Sequence, residues 1–412
     1  MSKQDLFDIC VIGAGASGMS AAITAKKNYP ELRVCLLEEK EKVGQKLLAT
    51  GNGRCNLSND DLGISHYGGE AEKYSWIFEN SVPDEEFFDD LGLVITSDGS
   101  GRKYPYSNQA ASVLNAFLRE IDLLGLQLIQ NFKAVRLNTE GKLYSIVSQD
   151  GRSVYAASVI IAIGSPAGKH SYAMPELIAS TGELFKPFSP ALVPIYVYPD
   201  VRTMKGARVK AKVQLTHQAI TCAEESGEVQ FGDGYISGIC IMNLSRFVET
   251  GKEYELHLNL VSDLLVHEVE NYLNVMVQHN VQLSDLLSGL LPKRVGEEII
   301  RACCKDPFRR KASSLNDSER EKVARTLRNW TFKVKSLGPV NLAQISKGGV
   351  MELDSQTLAS QRNTGLFYCG EVVNVDGECG GYNLHWAWIS GQAAGKAACD
   401  YLKRVRGAAD EV

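Results

Sequence analysis

The sequence has no Cys-x-x-Cys pair, no apolar run of bilayer-spanning length, no low-complexity tract, no internal repeat and no large excess of either charge. Each absence removes a class of protein. The ten cysteines are scattered, with Cys303 and Cys304 adjacent, so the simplest signatures of a zinc site or a dithiol redox centre are missing. No metal is expected. A membrane span needs about 20 consecutive apolar residues, and none is present. Met1 to Asp8 carries acids and does not read as a secretory leader. A soluble, cytoplasmic chain with reduced thiols is therefore the expectation. Lys and Arg total 44 against 49 Asp and Glu, a net charge of -5, which argues against a nucleic-acid-binding surface over the whole molecule. What is present is ordinary globular composition, 44% hydrophobic and 23% charged over 412 residues, long enough for two or three domains.

Phe7 to Ile12 is a short apolar run of the kind found in buried parallel strands. It leads straight into Gly13-Ala14-Gly15-Ala16-Ser17-Gly18, a G-x-G-x-x-G match, and then an alanine-rich helical stretch from Met19 to Lys27. In such a loop Gly13 permits the tight turn, Gly15 lets backbone amides reach a pyrophosphate, and Gly18 allows close helix–strand packing. The diphosphate then rests at the positive end of the helix dipole. A second strand, Arg33 to Leu37, ends at Glu38, where an acid about 20 residues past the loop meets an adenosine ribose. These features expect the ADP half of FAD or NAD.

The far end of the chain separates the two cofactors. Gly365 to Glu371 reads as a short buried strand ending in an acid, followed by Val375-Asp376-Gly377, Gly380-Gly381-Tyr382-Asn383-Leu384 and a helix from about His385 to Leu402. Acids at a strand end accept hydrogen bonds from ribityl hydroxyls, and a helix N-terminus can face the part of a flavin ring that carries negative charge when reduced. No second G-x-G-x-x-G with strand and helix context occurs, so a separate nicotinamide domain is not expected. FAD fits the single cradle best, with NADH or NADPH as a transient electron donor.

Gly44-Gln45-Lys46 through Gly51-Asn52-Gly53-Arg54-Cys55-Asn56 resembles the signature of a bacterial FAD-binding family that includes BaiN-like bile-acid reductases and aminoacetone-oxidase-like enzymes. Gly101 to Ser107, Pro190 to Pro194, Leu291 to Arg294, Gly348 to Val350 and Gly370 to Leu384 match the same family in the same order. The resemblance implies an α/β fold: a two-dinucleotide-binding, Rossmann-like FAD domain interrupted by an inserted β-barrel-like domain and a helical subdomain. Cofactor contacts are then expected at Gly13, Gly15, Ala16, Ser17, Gly18, Glu38, Lys46, Gly53, Arg54, Cys55, Asn56, Val135, Gly164, Gly370, Glu371, Asp376, Gly381, Tyr382, Asn383 and Leu384. Two stretches depart from the family pattern. Phe231 to Ile239 carries Asp233 and Ile239 where many members have a histidine and a proline, and the stretch from Ser165 to Pro175 is remodelled. Both read as substrate-facing, so no member's substrate is transferred.

Boundaries follow from the pattern between these segments. Gly125 to Val147 reads as strands around the Glu140-Gly141 turn, and Val159 to Gly164 as a buried strand with a terminal glycine. Arg208 to Leu215 alternates polar and apolar, as a strand with one wet face does. Ser262 to Trp330 reads as helical, with Ser284 as an N-cap and Asn316 with Glu319 as a capping box. The expectation is an FAD domain over 1–188 and 342–412, an inserted β domain over 189–261 and 331–341, and a helical subdomain over 262–330. Lys305, Arg309, Arg310 and Lys311 form a basic run, read either as a solvated face or as a site for an anionic substrate or RNA.

Catalytic candidates are few. Arg54 offers charge to the reduced ring or the pyrophosphate, or else a structural ion pair. Cys55 is a redox thiol or a small packing residue. Tyr382 can donate a proton in an enone reduction, or stack on or hydrogen-bond to FAD. His385, at the expected helix start, has a catalytic part or is a surface residue. The leading reading is a reductase of a small conjugated or carbonyl-containing molecule using NAD(P)H. An amine-oxidase-like enzyme passing electrons to oxygen and a flavin-bearing sensor or RNA-associated factor are the alternatives. Oligomeric state is left open.

Overall fold

The computed structural model describes residues 6–168 and 175–410, in two compact units: Met1–Ser189 with Ile345–Val412, and Pro190–Gln344. The centre of the first unit is the strand Leu6–Ile12, paired in parallel with Val34–Leu37 on one side and Ser153–Ile161 on the other. Val34–Leu37 pairs in parallel with Gln127–Ile129. The Ser153–Ile161 strand has two partners on its outer side. Its beginning joins an antiparallel hairpin of Ala134–Glu140 and Leu143–Ser148, and its end pairs in parallel with Leu366–Tyr368. The result is a seven-stranded sheet in which early and late parts of the chain are neighbours. Ile9, Val11, Leu36 and Ile160 are fully buried, as a parallel sheet covered on both faces requires.

The helices Ala16–Asn28 and Tyr382–Asp410 belong to this unit. The last helix begins three residues earlier than the hydrophobic pattern suggests. Gly380 and Gly381, at φ 139° and 104°, turn the chain, and the His385 N–H donates to the Gly381 carbonyl at 2.9 Å. Tyr382, Asn383 and Leu384 thus lie in its first turn.

The second unit is a closed antiparallel barrel in the order Ile195–Tyr198, Tyr235–Ser237, Ile220–Phe231, Arg208–His217, Glu255–Asn259 and Trp330–Leu337. Alternation along Arg208–His217 sends Val209, Ala211, Val213 and Leu215 inward. Helices Val266–Gln278, Lys293–Cys303 and Asp317–Arg328 share its core. Asn316 caps the third, accepting from the Glu319 N–H at 2.9 Å, while Glu319 returns the bond to the Asn316 N–H. Ser284 is no N-cap: it lies inside a tight turn over Leu283–Asp285, and the following helix starts only after Pro292. Among the described residues no helix is long and apolar enough to cross a membrane, and no His, Cys, Asp and Glu group is arranged to hold a metal.

Candidate cofactor and proton-transfer site

The early glycine loop is shaped by two contacts and one opening. A β-carbon on Gly18 would stand 1.9 Å from the Gly13 carbonyl oxygen, and one on Gly13 would stand 2.5 Å from that of Ala162. Both glycines are there because backbones touch. Gly15 differs: it is the N-cap of Ala16–Asn28, and a β-carbon there would meet nothing within 4 Å. Its open side lies where the free N–H groups of Ala16, Ser17 and Gly18 begin the helix. Glu38 is fixed beside the loop, one carboxylate oxygen accepting from Ala14 N–H at 3.1 Å and the other from Lys40 N–H at 3.1 Å. Its carbonyl accepts from Phe132 N–H at 2.8 Å, three residues before Val135, which occupies an irregularity in the edge strand. Gly164, at φ 67°, also faces open space.

The late segment is pressed onto the early one. A β-carbon on Gly370 would lie 2.3 Å from Ser17 Oγ, and one on Gly381 would lie 2.2 Å from the Ser58 carbonyl oxygen and 2.9 Å from Asn56 Oδ1. The N-termini of the first and last helices therefore lie against segments of the same small region. Glu371 receives Lys46 Nζ at 2.5 Å and Ser346 N–H at 2.9 Å, which ties the Gly44–Asn56 segment to the C-terminal one. Asp376 is buried in Val375–Gly377, a strand paired with Tyr67–Gly69. The Asn383 side chain serves its own turn, accepting from Gly377 N–H at 2.8 Å and donating to the Gly377 carbonyl at 2.9 Å. Leu384 packs against the core of the first unit. Asn56 Oδ1 is sealed from solvent and has no hydrogen-bond partner among the described residues.

Arg54 is exposed. It lies over the Tyr104 ring at 4.6 Å and makes no ion pair among the described residues, which corrects the structural-salt-bridge alternative. Gly53 beside it is open to space. Cys55 is fully buried, and burial pushes its thiol up to about 12, against a weaker opposing bond from Thr50. So high a value keeps it a neutral thiol at neutral pH and supports the packing reading.

His385 is no surface residue. It is buried, with Ser58 Oγ and Asp84 Oδ1 at 3.1 and 3.2 Å from its Nδ1, and Lys103 Nζ lies 3.5 Å from the other Asp84 oxygen. Burial raises the Asp84 carboxyl, but its bonds to His385 and Ser58 and the Lys103 charge override this and hold it below the usual range. Asp84 is 301 residues from His385, and no spacing rule could have joined them.

Tyr382 has a different surrounding. Its ring stacks on His66 with centroids 4.5 Å apart and planes at 20°, and meets Tyr67 edge-on at 5.7 Å. The residue is buried, and its hydroxyl makes no hydrogen bond among the described residues. Burial, then Glu378 and Asp61, push it up to about 12, so it carries its proton at neutral pH. His66 lies between carboxylates, with Nδ1 at 2.9 Å from Glu378 and Nε2 at 3.1 Å from Asp61.

In the second unit, Asp233 pairs with Arg202 at 3.1 Å and Lys205 at 2.9 Å, and Ile239 opens a short helix. In the basic run, Arg310 is committed to Glu319 through both terminal nitrogens. Of the remodelled stretch from Ser165 to Pro175, residues 169–174 lie outside the described residues. As a whole, the open glycines, two helix N-termini and the unsatisfied Asn56 oxygen suit a diphosphate-bearing cofactor with a polar ring.

A family model described as "HI0933-like protein Rossmann domain" matches residues 7–397. The chain is 33% identical, across 95% of its length and 99% of the relative's, to the 3-dehydro-bile acid delta(4,6)-reductase of Clostridium scindens. It is 23% identical over 93% of its length to the ribosomal RNA dihydrouridine synthase of Haemophilus influenzae, and covers 96% of that protein. It is 24% identical over 95% of its length to the ribosomal RNA dihydrouridine synthase of Escherichia coli, with 97% of that protein covered.

Proposed function

The chain belongs to the HI0933-like Rossmann-domain family, and from that membership we propose that it is an FAD-dependent reductase that saturates a carbon–carbon double bond conjugated with a carbonyl group. The observation that supports this reading is a pair of close approaches within one unit of the fold, Gly370 against Ser17 of the early glycine loop and Gly381, just before the last helix and Tyr382, against Ser58 and Asn56. The loop amides would hold the diphosphate and Glu38 would accept from ribose hydroxyls. The start of Tyr382–Asp410 would offer its positive end to the ring. FAD held there would supply hydride chemistry, with reduced nicotinamide as the electron source. The carbon next to the carbonyl then needs a proton, and Tyr382 holds one on an oxygen that makes no hydrogen bond among the described residues. The curated bile-acid relative is named for acting on a 3-oxo dienone of this kind.

The two ribosomal RNA relatives favour a second substrate with the same chemistry. Uridine differs from dihydrouridine by two hydrogens across a double bond conjugated with a carbonyl. The test is anaerobic incubation of FAD-loaded protein with NADH or NADPH and either a 3-oxo-Δ4 steroid or unmodified ribosomal RNA. A steroid product heavier by two hydrogens supports the small-molecule reading, and conversion of uridine alone supports the second. No product from either, with hydrogen peroxide released from amines in air, overturns both.

A further inference from the structure

His66 lies in a segment to which the sequence motifs assign nothing, yet it is one of the most constrained side chains in the first unit. Both ring nitrogens face carboxylate oxygens, Glu378 at 2.9 Å and Asp61 at 3.1 Å. A carboxylate only accepts, so both nitrogens must donate, and an imidazole that donates twice is an imidazolium. Asp61 belongs to the early segment and Glu378 to the late one. The Glu378 N–H also donates to the His66 carbonyl at 3.1 Å, so backbone and side chain staple the same two stretches. The face of this cation lies almost parallel to Tyr382, an arrangement in which the ring quadrupole attracts the charge. Tyr67 meets the Tyr382 ring edge-on and donates its hydroxyl to the Tyr382 carbonyl at 3.2 Å.

We propose that His66, an imidazolium bridging Asp61 and Glu378, is a positioning residue that holds the ring of Tyr382 at the start of the C-terminal helix. This rests on the reductase reading for its effect on turnover, but not for the clamp itself. The groups acting on Tyr382 are the carboxylates Asp61 and Glu378 and the Arg102 guanidinium, while those acting on His66 are the two carboxylates. Tyr67 is buried and pushed well above its ordinary range, so it does not titrate with them. For His66, burial opposes the charge and the bonds to Glu378 and Asp61 override it, which raises the imidazolium range. Loss of that proton turns one ring nitrogen from a donor into an acceptor facing a carboxylate oxygen, and leaves the Tyr382 face without its cation.

The experiment uses FAD-loaded full-length protein with labelled histidine and tyrosine, followed by NMR from pH 6 to 10. His66 should lose its second ring proton at a pH above the ordinary imidazole value of 6.5, and the Tyr382 ring resonances should shift as it does. His66→Phe keeps the stack without the bridges, and His66→Gln keeps one bond without the charge. Each should lower turnover of the enone about tenfold, with KM and FAD content unchanged within about twofold, and add nothing to the loss already caused by Tyr382→Phe. A His66 that titrates at or below 6.5, Tyr382 resonances indifferent to its titration, or losses that multiply with Tyr382→Phe would overturn the proposal. If no enone is reduced, the reductase reading falls, and the NMR titration still decides the clamp.

Discussion

Gly395 in the last helix and Ala21 in the first approach so closely that a methyl group on Gly395 would lie 2.4 Å from the Ala21 carbonyl oxygen. One turn earlier, Gly391 stands at the same distance from the carbonyl of Ser17. Residues four apart share a helix face, so the two glycines form one flat stripe along the crossing. That stripe lets the body of the last helix lie directly against the start of the first, where the glycine loop ends. Gly395→Ala should therefore lower stability by about 1–3 kcal/mol in urea denaturation, and FAD should be lost more readily on dialysis.

Gly15 and Gly18 sit three residues apart in one motif and should respond in opposite ways. A β-carbon on Gly15 meets open space at an ordinary negative φ, whereas one on Gly18 strikes the Gly13 carbonyl. Gly15→Ala should stay within about 0.5 kcal/mol of the parent in stability and lose at least about tenfold in FAD affinity, or roughly 1.4 kcal/mol. Gly18→Ala should be destabilised outright. Parallel thermal melts and flavin-fluorescence titrations separate the two.

Removing the Tyr382 hydroxyl tests the proton source. Tyr382→Phe preserves the ring and its stack on His66, so FAD content should not change. Conjugate reduction should fall about 10²- to 10⁴-fold, the usual range for a general acid. Because burial pushes this phenol up to about 12, the parent should show no loss from tyrosine ionisation below about pH 10. Stopped-flow oxidation of reduced enzyme by the enone gives both results.

The Asp84–His385 pair makes a stability prediction with a definite sign. His385→Leu removes one hydrogen-bond partner of a buried carboxylate, leaving it Ser58 and Lys103, and should cost about 1–3 kcal/mol. In the parent the Asp84 carboxyl is held below its ordinary 3.8. Its contribution is therefore present above that value and lost as pH falls through the lowered one. In the variant the carboxyl rises, so acid unfolding should begin at a higher pH. Far-UV circular dichroism against pH shows the shift.

Local pattern carried the α/β architecture. The run Phe7–Ile12, the glycine loop and the alanine-rich helix are contiguous, and each obeys a short-range rule of burial, turn geometry or propensity. The barrel was legible from alternation in Arg208–Leu215 for the same reason. What escaped the sequence is held together by contacts over long separations. His66 meets Glu378 across 312 residues and His385 meets Asp84 across 301. Neither pair has a local signature, because the sheet and the helix crossing bring them together. Arg54 was read by charge alone, whereas its partner is the face of Tyr104. Nor was there any sign in the sequence that the Asn383 amide closes the turn at Gly377.

The most direct measurement is the binding of FAD to the purified full-length chain, read as flavin released per chain after denaturation and as fluorescence quenching when apoprotein is refilled. One FAD per chain, bound tightly enough to survive gel filtration, is the expected result. A colourless protein that does not quench FAD at tens of micromolar, while remaining folded, would contradict the account.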